Sequence, residues 1–235
     1  MRGALVLSLV LPLLAAVGPD SAPPPPAQTL LPATLPQGWY ATIETSLGVI
    51  VARLFPEQAP QAVAHFAALA EGRLEWVDPL TGVTNRGNYY DGLEVHLAVA
   101  GQRFEAGDPT GTGRGAPPFW IPLEVNGPIK FDAPWRLGMT RASLGRISGV
   151  LFFVTATGLS ALDRGHPCFG EVVSGREVVS AICNVKTGPR GNPLEAVVIR
   201  RIRIQKVGDP PPLPEPVRFT PKPPEFGLKE PPAKP

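Results

Sequence analysis

The prolines of this chain are distributed unevenly, and their distribution limits which residues can form a folded domain. The sequence contains 31 prolines among 235 residues, concentrated towards the two ends. Proline has no backbone N–H and a fixed φ, so proline-rich runs favour extended conformations over helices or sheets. We therefore expect a proline-rich spacer at residues 19–37, a folded domain at 38–208 and a proline-rich disordered tail at 209–235. A PxxP ligand is the alternative interpretation of the tail.

The N-terminal residues predict export. Arg2 supplies a positive charge, residues 4–17 form an apolar run too short to cross a bilayer comfortably, and small residues precede and include Gly18. This pattern is typical of a signal peptide, assigned here to residues 1–18, and places the mature protein in the periplasm or outside the cell without stable membrane insertion. No cysteine follows the apolar run, which argues against a lipid anchor. An uncleaved N-terminal anchor is the alternative.

The net charge, the spacing of the histidines and the number of cysteines limit the functions that this chain can have. The formal net charge of +2 is too small to indicate binding to nucleic acid. His65 and His96 have no ligand-like spacing to each other or to the cysteines, so neither a metal nor another cofactor is expected. Cys168 and Cys183 are the only cysteines. In an exported protein they are either a disulfide or two small buried apolar side chains.

Hydrophobic periodicity predicts a mainly β domain. Apolar runs on both sides of residues 46–48 predict a hairpin. Helical spacing follows from Pro60, which suits a first turn, to Gly72, which suits a helix stop. A second helix is predicted at residues 175–185, and further strands at 151–155, 168–173 and 197–207. Many short strands with two helices favour a barrel or sandwich whose open ends the helices cover.

Several motifs occur in an order that resembles the cyclophilins, which are peptidyl-prolyl cis-trans isomerases. They are TSLGVIVARLFPEQAPQAVAHFAALAEG, YYDGL, GDPTGTGRG, LFFVT and LDRGHPCFGEVVSGREVVSAI. The resemblance covers essentially the whole folded region. It implies a closed eight-stranded antiparallel β-barrel capped by two α-helices, with a shallow proline-binding groove on its outer surface. GTGRG lacks a following GK[ST] and is not a phosphate loop. The resemblance makes it a structural loop beside the groove.

The family reaction needs little chemistry from the protein. An Xaa–Pro bond isomerises unaided in tens to hundreds of seconds, because amide conjugation resists twisting. The enzyme binds the proline ring and donates a hydrogen bond to the imide nitrogen, which becomes basic only as the bond twists. In the family an arginine of an FHRV motif is this donor. Here the corresponding stretch is VHLA, so Leu97 occupies the arginine position.

The resemblance maps the proline pocket onto Phe153, Leu162 and His166. Other groove positions differ, since Ala161 replaces the usual tryptophan. Each retained residue also has a simpler interpretation: Phe153 as core, Leu162 as a loop anchor and His166 as a hydrogen-bonded structural histidine.

A replacement donor is conceivable. Arg103 and Glu105 are two residues apart on a predicted strand and point the same way, towards the groove in the family. Arg103 is therefore the candidate catalytic residue, with Glu105 holding it. Arg141, at a groove-lining asparagine position, is a second candidate donor. The alternative is that Arg103 and Glu105 form an ordinary ion pair.

These inferences combine into an exported, monomeric isomerase that acts on proline-containing polypeptides and assists protein folding. Its catalysis is expected to be weakened by Leu97. The alternatives are a non-catalytic module that binds proline peptides and an envelope assembly protein, both built on the same scaffold.

Overall fold

Alternating apolar residues near the start of the folded region form a tight antiparallel hairpin. The computed structural model describes residues 31–32, 34–115, 119–143 and 146–217, except the side chains of residues 142, 143 and 146. The predicted signal peptide, most of the predicted spacer and residues 218–235 of the predicted tail lie outside the described residues. The first strands are β1 (Gly38–Thr45) and β2 (Gly48–Leu54), which confirms the predicted hairpin.

The remaining elements follow in chain order. The helices are α1 (Pro60–Ala70) and α2 (Arg176–Cys183), and a short 3-10 helix spans Ser160–Leu162. The other strands are β3 (Trp76–Val77), β4 (Thr84–Asn85), β5 (Val95–Val99), β6 (Arg103–Ala106), β7 (Trp120–Ile121), β8 (Arg136–Ser143), β9 (Arg146–Thr155), β10 (Cys168–Ser174) and β11 (Ile199–Val207). Each predicted strand and helix is present, with bounds shifted by a few residues at most for the helices and the last strand.

The main sheet is antiparallel and runs in the order β11-β1-β2-β10-β8-β9-β6-β5, with β7 pairing β9. This confirms the predicted mainly β fold class. Closure is less complete than predicted, because β5 and β11 do not pair as strands. Only an isolated bridge between Glu94 and Val198, and backbone bonds such as Val95 N to Val197 O at 2.9 Å, join the two ends.

Both helices pack on the barrel. From α1, which lies against β9, β10 and β11, Phe66 reaches the rings of Tyr90, Phe152 and Phe169 at centroid distances of 5.2–5.3 Å. From α2, Val179 and Ile182 are fully buried against the other side of the same core. This core fixes strand positions, and with them the outward-facing side chains.

Residues 209–217, here called the C-terminal segment, lie extended on the surface of the domain. Trp39 Nε1 donates to Pro211 O at 2.8 Å, and Val217 N donates to Gln61 Oε1 at 2.8 Å. Leu213 is partly buried against the core. The structure therefore differs from the predicted disorder over this part of the tail, because side chains from β1 and α1 satisfy polar groups that a proline-rich run cannot satisfy internally.

The two cysteines are free and buried. Burial raises the pKa of each thiol to about 12, so both stay protonated at neutral pH. Of the two alternatives, the structure therefore has the small buried apolar side chains and not the disulfide. Among the described residues, none of the helices is long and apolar enough to cross a membrane.

Candidate functional site

One row of residues crosses the outer face of the sheet. Strand register pairs Leu97 with Glu105, Glu105 with Phe153, Phe153 with Gly138, and Gly138 with Cys168. Residues paired directly across antiparallel strands project on the same side of the sheet. Phe152, the neighbour of Phe153 along β9, contacts the core ring of Phe66, so the row faces outward.

A small apolar cluster covers the middle of this row. It is separate from the main core and consists of buried Phe131, Phe153 and Cys168, with Ile129 and Leu162 packed against it. The ring centroids of Phe131 and Phe153 are 5.3 Å apart, and Phe153 is only 1% exposed. We call this set the outer cluster. Packing within the outer cluster explains why Phe153 is buried although it lies outside the barrel interior.

The structure brings the three predicted pocket residues together. His166 meets the Phe153 ring edge-on, with centroids 5.3 Å apart, and Leu162 joins the outer cluster through the 3-10 helix. Leu162 also anchors its loop, because its carbonyl accepts the backbone N–H of His166 at 3.1 Å. Their assignment to substrate binding stays a prediction.

His166 is fixed by backbone atoms of β8. Its Nδ1 lies 3.0 Å from Met139 O and 3.2 Å from Arg141 N. With Nδ1 protonated the ring donates to Met139 O, and in the other tautomer Nδ1 accepts from Arg141 N–H. Burial is the main cause that lowers the pKa of His166, so the ring is uncharged at neutral pH.

The packing of Phe153 depends on the absence of a side chain at Gly138. A Cβ added at Gly138 would collide with the tips of the Phe153 and Phe131 rings. The absence of a side chain at Gly138 therefore leaves room for the tips of both rings. Sequence reasoning missed Gly138 and Phe131, because nothing in their local pattern indicates that the two aromatic rings meet across it.

Arg103 and Glu105 form an ion pair on this face. Arg103 Nε donates to Glu105 Oε1 at 2.9 Å, and the side chains are 25% and 13% exposed. This confirms the predicted shared face. His96 Nε2 lies 3.8 Å from the other carboxylate oxygen of Glu105. Burial alone would raise the pKa of Glu105, but interactions with His96 and Arg103 lower it below its usual value.

Leu97 brings no charge to this face, and its side chain is closely packed. Leu97 is partly buried, and its Cδ1 lies so close to Gly191 that any side chain there would collide with it. The backbone N–H of Ala98 donates to Gly191 O at 2.8 Å, which fixes this loop beside β5. The apolar side chain of Leu97, packed against Gly191, therefore occupies the position of the family arginine.

The glycine-rich loop is organised around Asp108. Its carboxylate accepts backbone N–H groups from Thr110 at 2.8 Å, Thr112 at 3.0 Å, Arg114 at 2.9 Å and Gly115 at 3.1 Å. Burial opposes ionisation, but these hydrogen bonds together lower the pKa of Asp108. The donors that a phosphate would need are already used, which agrees with the predicted structural loop. An aspartate followed, after one proline, by a run of Thr and Gly is the sequence signal that could have indicated this cap.

The histidines outside the groove do not assemble with other ligands. His65 lies in α1 and contacts Val217 O at 2.9 Å, while His96 lies under the glycine-rich loop beside Gly113. Within the described residues, no group of three or more His, Cys, Asp or Glu side chains is arranged to hold a metal ion.

This chain is similar to known proteins over the whole barrel, including the strands that carry the outer-face row. Residues 40–204 match the family model described as cyclophilin type peptidyl-prolyl cis-trans isomerase/CLD. Peptidyl-prolyl cis-trans isomerase B of Streptomyces anulatus is 39% identical over 169 residues, which span 71% of this chain and 96% of that protein. Peptidyl-prolyl cis-trans isomerase A of Mycobacterium tuberculosis is 37% identical over 166 residues, spanning 70% of this chain and 91% of that protein.

A solved structure gives the same result. The cyclophilin type peptidyl-prolyl cis-trans isomerase of Cryptosporidium parvum, crystallised in the presence of the dipeptide Ala-Pro, superposes with a TM-score of 0.60 at 27% identity. The match covers 72% of this chain and 99% of the other. The chain belongs to the cyclophilin-type peptidyl-prolyl cis-trans isomerases and is a folding catalyst of that class.

Proposed function

We propose that this protein is an exported isomerase that binds proline-containing polypeptides beside the outer cluster and catalyses their isomerisation slowly. The single observation that carries the proposal is the outward-facing row in which Leu97, Glu105 and Phe153 are cross-strand neighbours. An apolar residue, an ion pair and a proline-pocket aromatic thus share one surface. The substrate class is supported by the relative from Cryptosporidium parvum, whose crystal structure was determined in the presence of the dipeptide Ala-Pro.

The pocket is assigned to Phe153, Leu162 and His166. His166 is uncharged at neutral pH and half-buried, so its ring offers an apolar face beside Leu162. Proline burial needs apolar contact and not a charged donor, so binding is expected to survive the loss of the family arginine. Because Phe153 is 1% exposed, a bound proline ring is expected to contact mainly Leu162 and His166.

Weak catalysis follows from position 97. A hydrogen bond to a charged group contributes roughly 1.5–3 kcal/mol. At about 1.4 kcal/mol per factor of ten, its loss costs one to two orders of magnitude in rate. Arg103 lies on the neighbouring strand and on the same face, so it is the replacement donor. Because Glu105 already accepts one of its N–H groups, the remaining guanidinium donors are those available to the imide nitrogen.

Export is proposed from the sequence of residues 1–18 alone. N-terminal sequencing of protein recovered from the extracytoplasmic fraction is expected to begin between about residues 17 and 26. Full-length protein found only in the cytoplasm would contradict export and leave the isomerase proposal intact.

The deciding experiment for activity is a protease-coupled isomerisation assay with several Xaa–Pro peptides, combined with chemical-shift mapping of an Ala-Pro peptide. Activity well below that of a family member with the arginine, with shifts at Leu162 and His166, is the expected result. A non-catalytic binding module is the second candidate, favoured by the close packing of Leu97 on Gly191. Peptide-induced shifts at the same residues without measurable rate acceleration would select it.

A further inference from the structure

A second groove lies between the C-terminal segment and the barrel. Its volume is about 940 Å³, within the range of about 300–1,000 Å³ that is usual for ligand-binding clefts. Its lining combines the prolines at 210–212 and 214 with Trp39 of β1, the connection from β2 to α1, and the loop at residues 126–129. Of the outer cluster, only Ile129 reaches this lining. We call this cleft the proline-walled groove.

The C-terminal segment is held against the domain at both of its ends. Trp39 Nε1 donates to Pro211 O at 2.8 Å, and Val217 N donates to Gln61 Oε1 at 2.8 Å. The proline-rich wall of the groove is therefore fixed by hydrogen bonds to β1 and α1. The first of these bonds also shows that Trp39 binds a proline-rich run within this chain, through a backbone carbonyl that proline leaves free to accept.

The groove offers aromatic rings together with hydrogen-bond donors. Trp39 and Phe55 line it and are both half-buried, so part of each ring is accessible. Arg53 donates from one Nη to Gln37 O at 3.4 Å, which leaves further guanidinium N–H groups to donate. Asn126 is exposed, and its side-chain amide bonds to none of the described residues. A strand of prolines presents ring faces and carbonyl acceptors without N–H groups, so its chemistry matches this lining.

We infer that the proline-walled groove is a second peptide-binding site, which takes a proline-rich strand of another polypeptide in the polyproline II conformation. The bound strand lies beside the chain's own prolines, with its rings on Trp39 and Phe55. Its carbonyls accept from Arg53 and Asn126. Such a strand is extended before it binds, so it loses little conformational entropy, and it brings no N–H group that would be buried without a partner. The inference does not depend on the proposed function, because the site lies outside the predicted proline pocket.

The test titrates the isotope-labelled full-length protein with a hexaproline peptide and follows the indole signal of Trp39 and the amide signals of Phe55 and Gly127. Saturable shifts are expected at these residues, and they should persist when an Ala-Pro peptide is present in excess. A hexapeptide of alternating glycine and serine should not produce them. Hexaproline shifts confined to Leu162 and His166 would overturn the inference and uphold the proposed function. Absence of shifts around Trp39, as when the chain's own proline-rich ends fill the groove, would also overturn it.

Substitutions then locate the site. Phe55→Ala and Arg53→Gln should each raise the Kd for hexaproline by about fivefold or more, because each removes a side chain that the strand contacts. Arg200→Gln is the charge-matched control for Arg53→Gln and should leave the Kd unchanged. Arg200 is exposed near the start of β11, whereas Trp39 pairs with the other end of that strand.

Asn126→Ala tests the groove without disturbing the packing of the domain, because Asn126 is exposed and its side chain has no bond to lose within the described structure. It should raise the Kd by about threefold, the effect of one neutral hydrogen bond. Thermal unfolding of every variant shows whether the fold is retained. An unchanged Kd in Asn126→Ala and in each folded variant of Phe55 and Arg53 would overturn the inference.

Discussion

Arg103 and Glu105 lie side by side on the outer face of β6, and Arg103 Nε donates to Glu105 Oε1 at 2.9 Å. Cross-strand pairing places Glu105 between Leu97 on one neighbouring strand and Phe153 on the other. A guanidinium thus approaches the groove from β6, although the family pattern supplies it from β5. Substitutions at Arg103 and Leu97 test whether this guanidinium takes part in catalysis.

Replacing Arg103 with alanine should abolish the residual isomerase activity and change peptide affinity by less than about twofold. The lost hydrogen bond forms mainly in the transition state, when the imide nitrogen becomes basic, so kcat falls and KM does not. Protease-coupled kinetics and a peptide titration separate the two effects. Arg203→Ala on β11 serves as the charge-matched control. Unchanged activity in Arg103→Ala would rule out this residue as the donor.

Replacing Leu97 with arginine should raise kcat/KM by roughly one to two orders of magnitude. The substitution restores a donor at the position where the family carries one. Leu97→Gln is the control for size without charge and should give no comparable gain. Because Leu97 touches Gly191, thermal unfolding should be recorded in parallel to detect strain. A fast original protein that gains nothing from the arginine would show that catalysis is not weakened at all.

Replacing Gly138 with alanine should displace Phe153 and destabilise the fold. The added methyl would overlap the rings of Phe153 and Phe131, and overpacking of this kind costs about 1–3 kcal/mol in free energy of unfolding. Denaturant unfolding gives this value, and the chemical shifts of His166 give the ring displacement. Gly87→Ala is the control, since nothing lies within 4 Å of a Cβ at that position. Equal stability of the two variants would contradict the close packing described here.

Ending the chain after Gly208 should lower the free energy of unfolding by about 1–3 kcal/mol relative to a chain that ends after Val217. The shorter chain loses the contact of Leu213 with the core, the hydrogen bond that Trp39 donates to Pro211 and the one that Gln61 accepts from Val217. Thermal or denaturant unfolding of both chains and the full-length protein measures the effect. The chain ending after Val217 should match the full-length protein. Identical stability of all three would show that the C-terminal segment contributes nothing to the fold.

Stability should fall as the pH drops below about 6.5 because His65 is buried. Burial lowers its pKa below the ordinary value of 6.5, while the bond to Val217 O opposes this only in part. Below 6.5 the unfolded chain takes up a proton that the folded protein does not, so the stabilisation is complete above 6.5 and declines as the pH falls towards the folded pKa. His166 acts in the same direction.

Denaturant unfolding between pH 7.5 and 5 measures this decline, and His65→Gln should reduce its slope. The window lies above the range where Asp108 and Glu105 titrate, since the pKa of each is below its ordinary value of 3.8 or 4.5. An unaltered slope in His65→Gln would mean that the ring is already protonated in the folded protein or is not buried.

The sequence alone determined the family, the mainly β fold class and the positions of the hairpin and the two helices. Alternation of apolar residues fixes which side of a strand faces the core, so the shared face of Arg103 and Glu105 was predictable from their spacing. Helix limits were equally local, since Pro60 and Gly72 act on the backbone within one turn. Motif order then identified Leu97 as the residue at the family arginine position.

Only the tertiary structure decided which side chains and loops pack on each face of the sheet. The contact of Phe153 with Phe131 and the bond between Trp39 and Pro211 join residues far apart in the chain, and neither leaves a periodic trace in the sequence. The path of the loops determines both, and so does the position of Arg141 beside His166. Local patterns record only whether a side chain points inward or outward, whereas its partner depends on which distant segments the folded core brings together.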